Sequence, residues 1–242
     1  MSYALAFSIV LPCYNEADNL PALLESYRSV WRDLPSELVL VDNGSTDHTP
    51  QVLREILASP EFSFVQPVTV PQNRGYGHGI ITGLRAARGA ILGFSHADMQ
   101  CPAADLFRAY DKLLEAGPEA AVVKGNRERR SLGAATLTAG MGFIASLALW
   151  ERLADINAQP KVFTRSLLSA LDSPPDGFEL DLYLLHRAKK IGLSIESIPV
   201  VFGRRAHGVS KWAYSLAARR RQIMNTLRYI LSLRAHEKGM GA

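Results

Sequence analysis

Leu38-Val39-Leu40-Val41-Asp42 is a four-residue apolar run closed by an acid, and Asn43-Gly44-Ser45-Thr46-Asp47 follows at once. A short, unbroken apolar run bounded by turn residues is the pattern of a strand buried on both faces. Asp47–Leu57 then takes up helical spacing, with Pro50 in the first turn, where its missing N–H is tolerated. The same grammar recurs on either side. Phe7–Pro12 reads as a strand, followed by Ala17–Trp31 with Leu20, Leu23, Leu24, Tyr27 and Val30 on one helical face. Phe62–Val70 contains a third strand, and Gly79–Arg88 reads as a helix. Ala90–Ser95 is a fourth strand, Asp105–Glu115 a helix closed by Gly117-Pro118, and Ala120–Lys124 a fifth strand. Strands alternating with helices over a hundred residues predict one α/β domain on a mostly parallel sheet.

In such sheets ligands sit beyond the carboxyl ends of the strands. The residues to weigh are therefore Asn15-Glu16, Asp42-Asn43-Gly44-Ser45, Asn73-Arg74-Gly75 and His96-Ala97-Asp98. Any one βα loop is polar whatever its role. Four such loops, each with an acid or amide and all meeting at one edge, point to a site for a polar ligand.

Composition narrows the class. With 242 residues, 48% apolar and 21% charged, the chain can bury a sizeable core, which excludes a disordered tail, a collagen-like repeat and a disulfide-stapled miniprotein. The net charge of +4 hides a split. Residues 1–202 hold 18 Lys and Arg against 22 Asp and Glu, whereas residues 203–242 hold 9 against the single acid Glu237. A basic end on an acidic body favours an anionic partner: nucleic acid, lipid headgroups or a phosphorylated substrate. Cys13 and Cys101 lie outside any C-x-x-C spacing, so neither a structural disulfide nor a zinc knuckle is expected, and a reducing cytoplasm is the simpler setting. The first residues lack a signal-peptide pattern. Leu132–Trp150 has no charge, but its Gly, Ala, Ser and Thr content argues against a membrane span.

Three segments resemble the opening of the family 2 glycosyltransferases: Pro12-Cys13-Tyr14-Asn15-Glu16, Val41–Thr49 and Asn73-Arg74-Gly75-Tyr76-Gly77. Ala97-Asp98-Met99-Gln100 resembles that family's D-A-D-x-Q metal segment, and Gly125-Asn126-Arg127 its G-S-R. Arg205-Ala206-His207-Gly208-Val209-Ser210-Lys211 resembles R-x-x-G-x-S-K of the dolichyl- and polyprenyl-phosphate sugar transferases. The resemblance runs from about residue 7 to 212. It implies a GT-A fold over residues 1–211, a nucleotide-sugar donor and a divalent cation, Mn²⁺ or Mg²⁺, acting as Lewis acid on the leaving diphosphate. Carried over by residue, Asp98 is the metal or diphosphate ligand, supported by Gln100. Pro12, Asn15, Glu16 and Asp42 line the nucleotide pocket with Gly75. Arg127, Arg205, Ser210 and Lys211 hold phosphates.

Two positions depart from the family pattern: Asn43 replaces the second acid of D-D-G-S, and His96 replaces the first acid of D-A-D. Three readings stay open at His96: direct ligation in a softer site, a place beside a metal held by Asp98, or a weakened or lost metal site. Asp155 resembles the acceptor-side acid and is either catalytic or a turn residue. A lipid-phosphate acceptor is already anionic near neutral pH, whereas a hydroxyl acceptor needs a positioned carboxylate, for which Asp155, Glu179 and Asp181 are the candidates. Glu179 and Asp181 open a helix over Phe178–Lys190, where acids also suit the helix dipole.

Residues 212–242 are expected to form a basic extension, with a helix over Trp212–Leu233. Trp212, Leu216, Ile223, Leu227 and Ile230 share one stripe flanked by Arg219 and Arg220. Such a helix either lies in a membrane interface or packs its stripe on the body. Nucleic acid is disfavoured, because no aromatic platform accompanies the charge. The expectation is an inverting transferase moving a sugar from a GDP- or UDP-sugar to a polyprenyl-phosphate-type acceptor, peripheral at the cytoplasmic membrane face. The alternatives are a glycan or small-molecule hydroxyl acceptor, and a non-catalytic nucleotide-sugar-binding protein.

Overall fold

The computed structural model describes residues 5–128, 154–203 and 216–239, with the side chains of the last helix described from 224 to 235. Seven strands form one sheet in the order β3-β2-β1-β4-β6-β5-β7. They are β1 (Leu5–Cys13), β2 (Ser36–Asn43), β3 (Val65–Val70), β4 (Gly89–Phe94), β5 (Ala121–Arg127), β6 (Lys161–Thr164) and β7 (Ser194–Val200). All pairs are parallel except those of β6, which runs antiparallel between β4 and β5.

Alternation along each strand divides the core into two layers. Phe7, Ile9 and Leu11 of β1 and Leu38 and Leu40 of β2 face α1 (Leu20–Val30), α2 (Thr49–Leu57) and α4 (Ala104–Ala116). Val10, Val39 and Val41 face α3 (Tyr76–Ala86), the one-turn α5 (Arg165–Ser169) and α6 (Leu180–Lys190). Ile230 of α7 (Leu216–Gly239) joins this second layer at 1% exposure, with Tyr229 and Leu233 packed against it. Of the expected stripe, Ile230 packs on the body, while Met224 and Leu231, outside that stripe, stand exposed. Among the described residues no helix is long and apolar enough to cross a membrane.

The five expected strands and their helices are present, while the start of α3 and the presence of β6 and β7 depart from the sequence reading. Helix α3 begins at Tyr76 rather than Gly79, and its first turn lies against a neighbouring segment: a Cβ on Gly77 would come within 2.3 Å of the Pro175 carbonyl oxygen. Strand β7 was not expected; its alternating, half-exposed pattern carries a proline at position 199, which suits an edge strand. Both cysteines are free and buried. Leu132–Trp150, the first residues of the expected C-terminal helix and the Arg205–Lys211 segment lie outside the described residues.

Candidate active site

The carboxyl ends of β1, β2, β4 and β5 bring most of the expected residues to one edge. Register pairing sets Cys13 level with Asp42, so the turn after β1 lies beside the turn after β2. The two are stitched together. Asn15 donates its backbone N–H to Ser45 Oγ at 3.0 Å, and its Oδ1 accepts the Thr46 N–H at 2.8 Å. The Glu16 N–H donates to Thr49 Oγ1 at 2.9 Å. Asp42, 3% exposed, accepts the Ser45 N–H at 2.9 Å. Asn43 explains its own departure from the family acid: its Nδ2 donates to the Gly75 carbonyl at 2.9 Å, which a carboxylate could not do. Gly75 itself has φ +135°, and a Cβ there would lie 2.2 Å from the Asp176 carbonyl oxygen. Its glycine is a close-approach requirement against the 172–178 segment, which Arg74 also clasps through Asp176 at 2.9 Å.

After β4, Asp98 is 5% exposed and accepts the Gln100 N–H at 3.1 Å across Met99, whose φ is +60°. Gln100 and Gly203 join by two bonds, Gly203 N–H to Gln100 O at 2.8 Å and Gln100 Nε2 to Gly203 O at 3.3 Å. Gly203 is thus held beside the Asp98 turn. The His96 ring packs 5.5 Å from that of Tyr76, centroid to centroid, and Tyr76 stacks on Phe178 at 5.0 Å. Non-glycine residues with positive φ are uncommon and concentrate at functional sites. Asn15, Met99 and Asp155 are those of the described residues, and all three flank this edge.

A divalent cation fits this donor set only in company. Among the described residues no three His, Cys, Asp or Glu side chains gather as a metal centre. Asp98 supplies a carboxylate, and Gln100, whose NH₂ donates to Gly203, supplies an amide oxygen. One carboxylate plus ligand phosphates is the usual way Mg²⁺ is held.

Asp155 and Arg127 meet as a clamp. The Arg127 N–H donates to Oδ2 at 2.8 Å, its Nε to Oδ1 at 2.9 Å, and its Nη2 also reaches Oδ1. Burial pushes the Asp155 carboxyl up, but the Arg127 hydrogen bonds and the charges of Arg127 and Lys124 outweigh it and hold the carboxyl below its usual range. The guanidinium also lies 5.3 Å from the centre of the Phe202 ring. Arg127 is 15% exposed at its side chain, and no hydrogen bond among the described residues uses its Nη1.

Three residues of this region, Lys161, Gln159 and Lys124, carried no functional signal in the sequence reading. Lys161, 0% exposed, pairs with Asp181. Gln159, equally buried, donates to Asp181 Oδ1 and to the Tyr76 hydroxyl, each at 3.0 Å. Lys124 sits opposite Lys161 in the β5–β6 register. A lysine at the boundary of an apolar run, as in Ala121-Val122-Val123-Lys124, was the available clue. Of the three acceptor-side carboxylates, Asp155 and Asp181 are therefore held by cations, and Glu179 stands at the start of α6.

The family model described as glycosyl transferase family 2 matches residues 8–171. The undecaprenyl-phosphate 4-deoxy-4-formamido-L-arabinose transferase of Pectobacterium carotovorum subsp. carotovorum (strain PC1) is 26% identical over 214 residues, 86% of this chain and 62% of that protein. Its namesake in Pseudomonas fluorescens (strain Pf0-1) is 27% identical over 210 residues, 85% of this chain and 60% of that protein. The chain thus spans less than two thirds of the length of these relatives. Among solved structures, glucosyl-3-phosphoglycerate synthase from Mycobacterium tuberculosis, in complex with Mn²⁺, UDP and glucosyl-3-phosphoglycerate, superposes with a TM-score of 0.70 at 24% identity, over 93% of this chain and 80% of that one. The same synthase with Mg²⁺ and UDP gives 0.70 at 23% identity, over 93% and 79%. The architecture is accordingly the mostly parallel GT-A fold that the motifs implied. With two thirds of its length inside the family model, the chain belongs to glycosyl transferase family 2.

Proposed function

We propose that this chain transfers a sugar, with inversion, from a GDP- or UDP-sugar to a polyprenyl-phosphate-type lipid. The observation that carries the donor half is the Asp98 turn, tied through Gln100 to Gly203 and flanked by the Asn15, Asp42 and Arg127 positions on one sheet edge. Asp98 and Gln100 would hold a Mn²⁺ or Mg²⁺ ion, which supplies Lewis-acid neutralisation of the leaving diphosphate. His96, packed on Tyr76, stands beside that ion. Asp42 and Asn15 line the nucleotide pocket with Pro12 and Glu16. Arg127 offers the donor phosphates the edge of its guanidinium that Asp155 does not use, and Arg205, Ser210 and Lys211 add further phosphate contacts.

The acceptor half rests on the carboxylates. A hydroxyl acceptor needs a base, yet Asp155 is clamped by Arg127 and Asp181 is paired with Lys161. A lipid phosphate arrives as an anion near neutral pH and needs no deprotonation. The names of the curated relatives, undecaprenyl-phosphate transferases, agree with that choice. Met224 and Leu231, exposed on α7 with Arg228 between them, suit a peripheral position on a membrane surface.

The test is sugar transfer from radiolabelled UDP- and GDP-sugars to undecaprenyl phosphate in detergent, with Mn²⁺ or Mg²⁺. Activity is expected to vanish with EDTA and to fall at least about 100-fold in Asp98→Ala, a loss of about 3 kcal/mol of transition-state stabilisation. Full turnover of Asp98→Ala in EDTA would remove the metal role. Transfer to a soluble sugar but never to the lipid phosphate would overturn the acceptor.

A further inference from the structure

Lys124 and Lys161 are cross-strand partners, so their side chains leave one face of the sheet side by side. They are 4% and 0% exposed. Each ammonium donates to a carbonyl of the same turn: Lys124 Nζ to Asp155 O at 3.3 Å, and Lys161 Nζ to Ala158 O at 3.2 Å. The Ala158 N–H closes that turn on Asp155 O at 3.0 Å. Gly125, next to Lys124, pins its far end by donating to Pro160 O at 2.8 Å.

Two like charges buried side by side are costly unless each is matched. Lys161 is matched by Asp181. Lys124 is not: among the described residues its partners are the carbonyls of Gly125, at 2.9 Å, and Asp155. The carboxylate of Asp155 is committed to Arg127. Among the described residues of this cluster, Lys124, Arg127 and Lys161 thus face two carboxylates, Asp181 on Lys161 and Asp155, which hydrogen-bonds Arg127 and is shared with Lys124 through charge alone.

We propose that Lys124 is a positioning residue of the donor site: it holds the Asp155 turn, and through it the Arg127 guanidinium, and its charge is matched only when the diphosphate of a nucleotide reaches Arg127. This rests on the donor assignment above. Burial, then the charges of Lys161 and Arg127, lowers the Lys124 pKa to about 8, with Asp155 opposing. An anion at Arg127 favours the charged lysine and draws its pKa back up. By linkage, nucleotide binding above that pKa must take up a proton, whereas well below it the lysine is already charged.

The experiment titrates the full chain with UDP and with GDP, each with Mg²⁺, by calorimetry at pH 8.5 in two buffers of different ionisation enthalpy. A lysine of pKa about 8 is roughly one quarter protonated at pH 8.5, so uptake of about half a proton or more is expected. K124M, of similar length and folded by circular dichroism, is expected to take up none and to bind about 10-fold more weakly. K124R, charged at every working pH, is expected to bind without uptake. Uptake that persists in K124M, or in K124R should K124M fail to fold, overturns the proposal. Nucleotide binding by the unmodified chain without uptake overturns it too, but leaves the donor assignment standing. Binding of neither nucleotide removes both.

Discussion

Replacing Lys161 by Met strips the counter-ion from Asp181, a carboxylate in the first turn of α6 that is 2% exposed. Among the described residues, Asp181 then keeps the Gln159 amide at 3.0 Å as its side-chain partner. Removing one partner of a buried pair typically costs about 3–5 kcal/mol, because the survivor is an uncompensated charge. The destabilisation of Lys161→Met should therefore be about 4 kcal/mol at pH 7. Urea unfolding of both proteins at that pH, with m compared to confirm like transitions, measures it. The double variant Lys161→Met/Asp181→Leu should recover most of the loss, since an apolar pair of similar volume is commonly neutral, with a residue of about 1–3 kcal/mol for the orphaned Gln159 donor. A Lys161→Met cost below about 1 kcal/mol at pH 7 would refute the pairing as a buried ionic contact.

Two further outcomes follow from the same geometry. Gly75→Ala should lower stability by well over 2 kcal/mol, because backbone strain at φ +135° adds to a Cβ placed 2.2 Å from the Asp176 carbonyl oxygen. Gly192→Ala, at φ +85° with nothing within 4 Å, should cost only about 1 kcal/mol; thermal melts that fail to separate the two would discount the close approach. Asp155 has a lowered folded-state pKa, so its contribution is full above its unfolded value and is lost as pH falls through the folded one. Asp155→Asn should thus be less stable than the unmodified chain at pH 6, with the gap closing below about pH 4; an unchanged gap between pH 6 and pH 3, read from urea midpoints, would contradict the Arg127 clamp.

The strand-and-helix alternation was legible because apolar runs such as Leu38–Val41 and helical spacing such as Leu20, Leu23, Leu24 and Tyr27 are local signals. The turn residues Asn15, Asp42 and Asp98 were legible for a related reason, since parallel topology obliges each βα loop to open on the same edge. Strand β6 left little trace: Lys161-Val162-Phe163-Thr164 is four residues long and begins with a charge. The third helix was read from Gly79, whereas it starts at Tyr76, where Gly75 and Gly77 lie close to Pro175, Asp176 and Gly177.

By itself the sequence determined the layered α/β architecture, the edge that carries the site and the family, because periodicity and short motifs are properties of neighbours along the chain. Only the tertiary structure decided which charges answer one another. Arg127 meets Asp155 across 28 positions and Lys161 meets Asp181 across 20, while Lys124 lies opposite Lys161 and, among the described residues, hydrogen-bonds only carbonyls. Such pairings depend on the antiparallel insertion of β6 between β4 and β5 and on burial. Water is excluded there, so an unmatched charge beneath the strand ends becomes a strong interaction awaiting an anion.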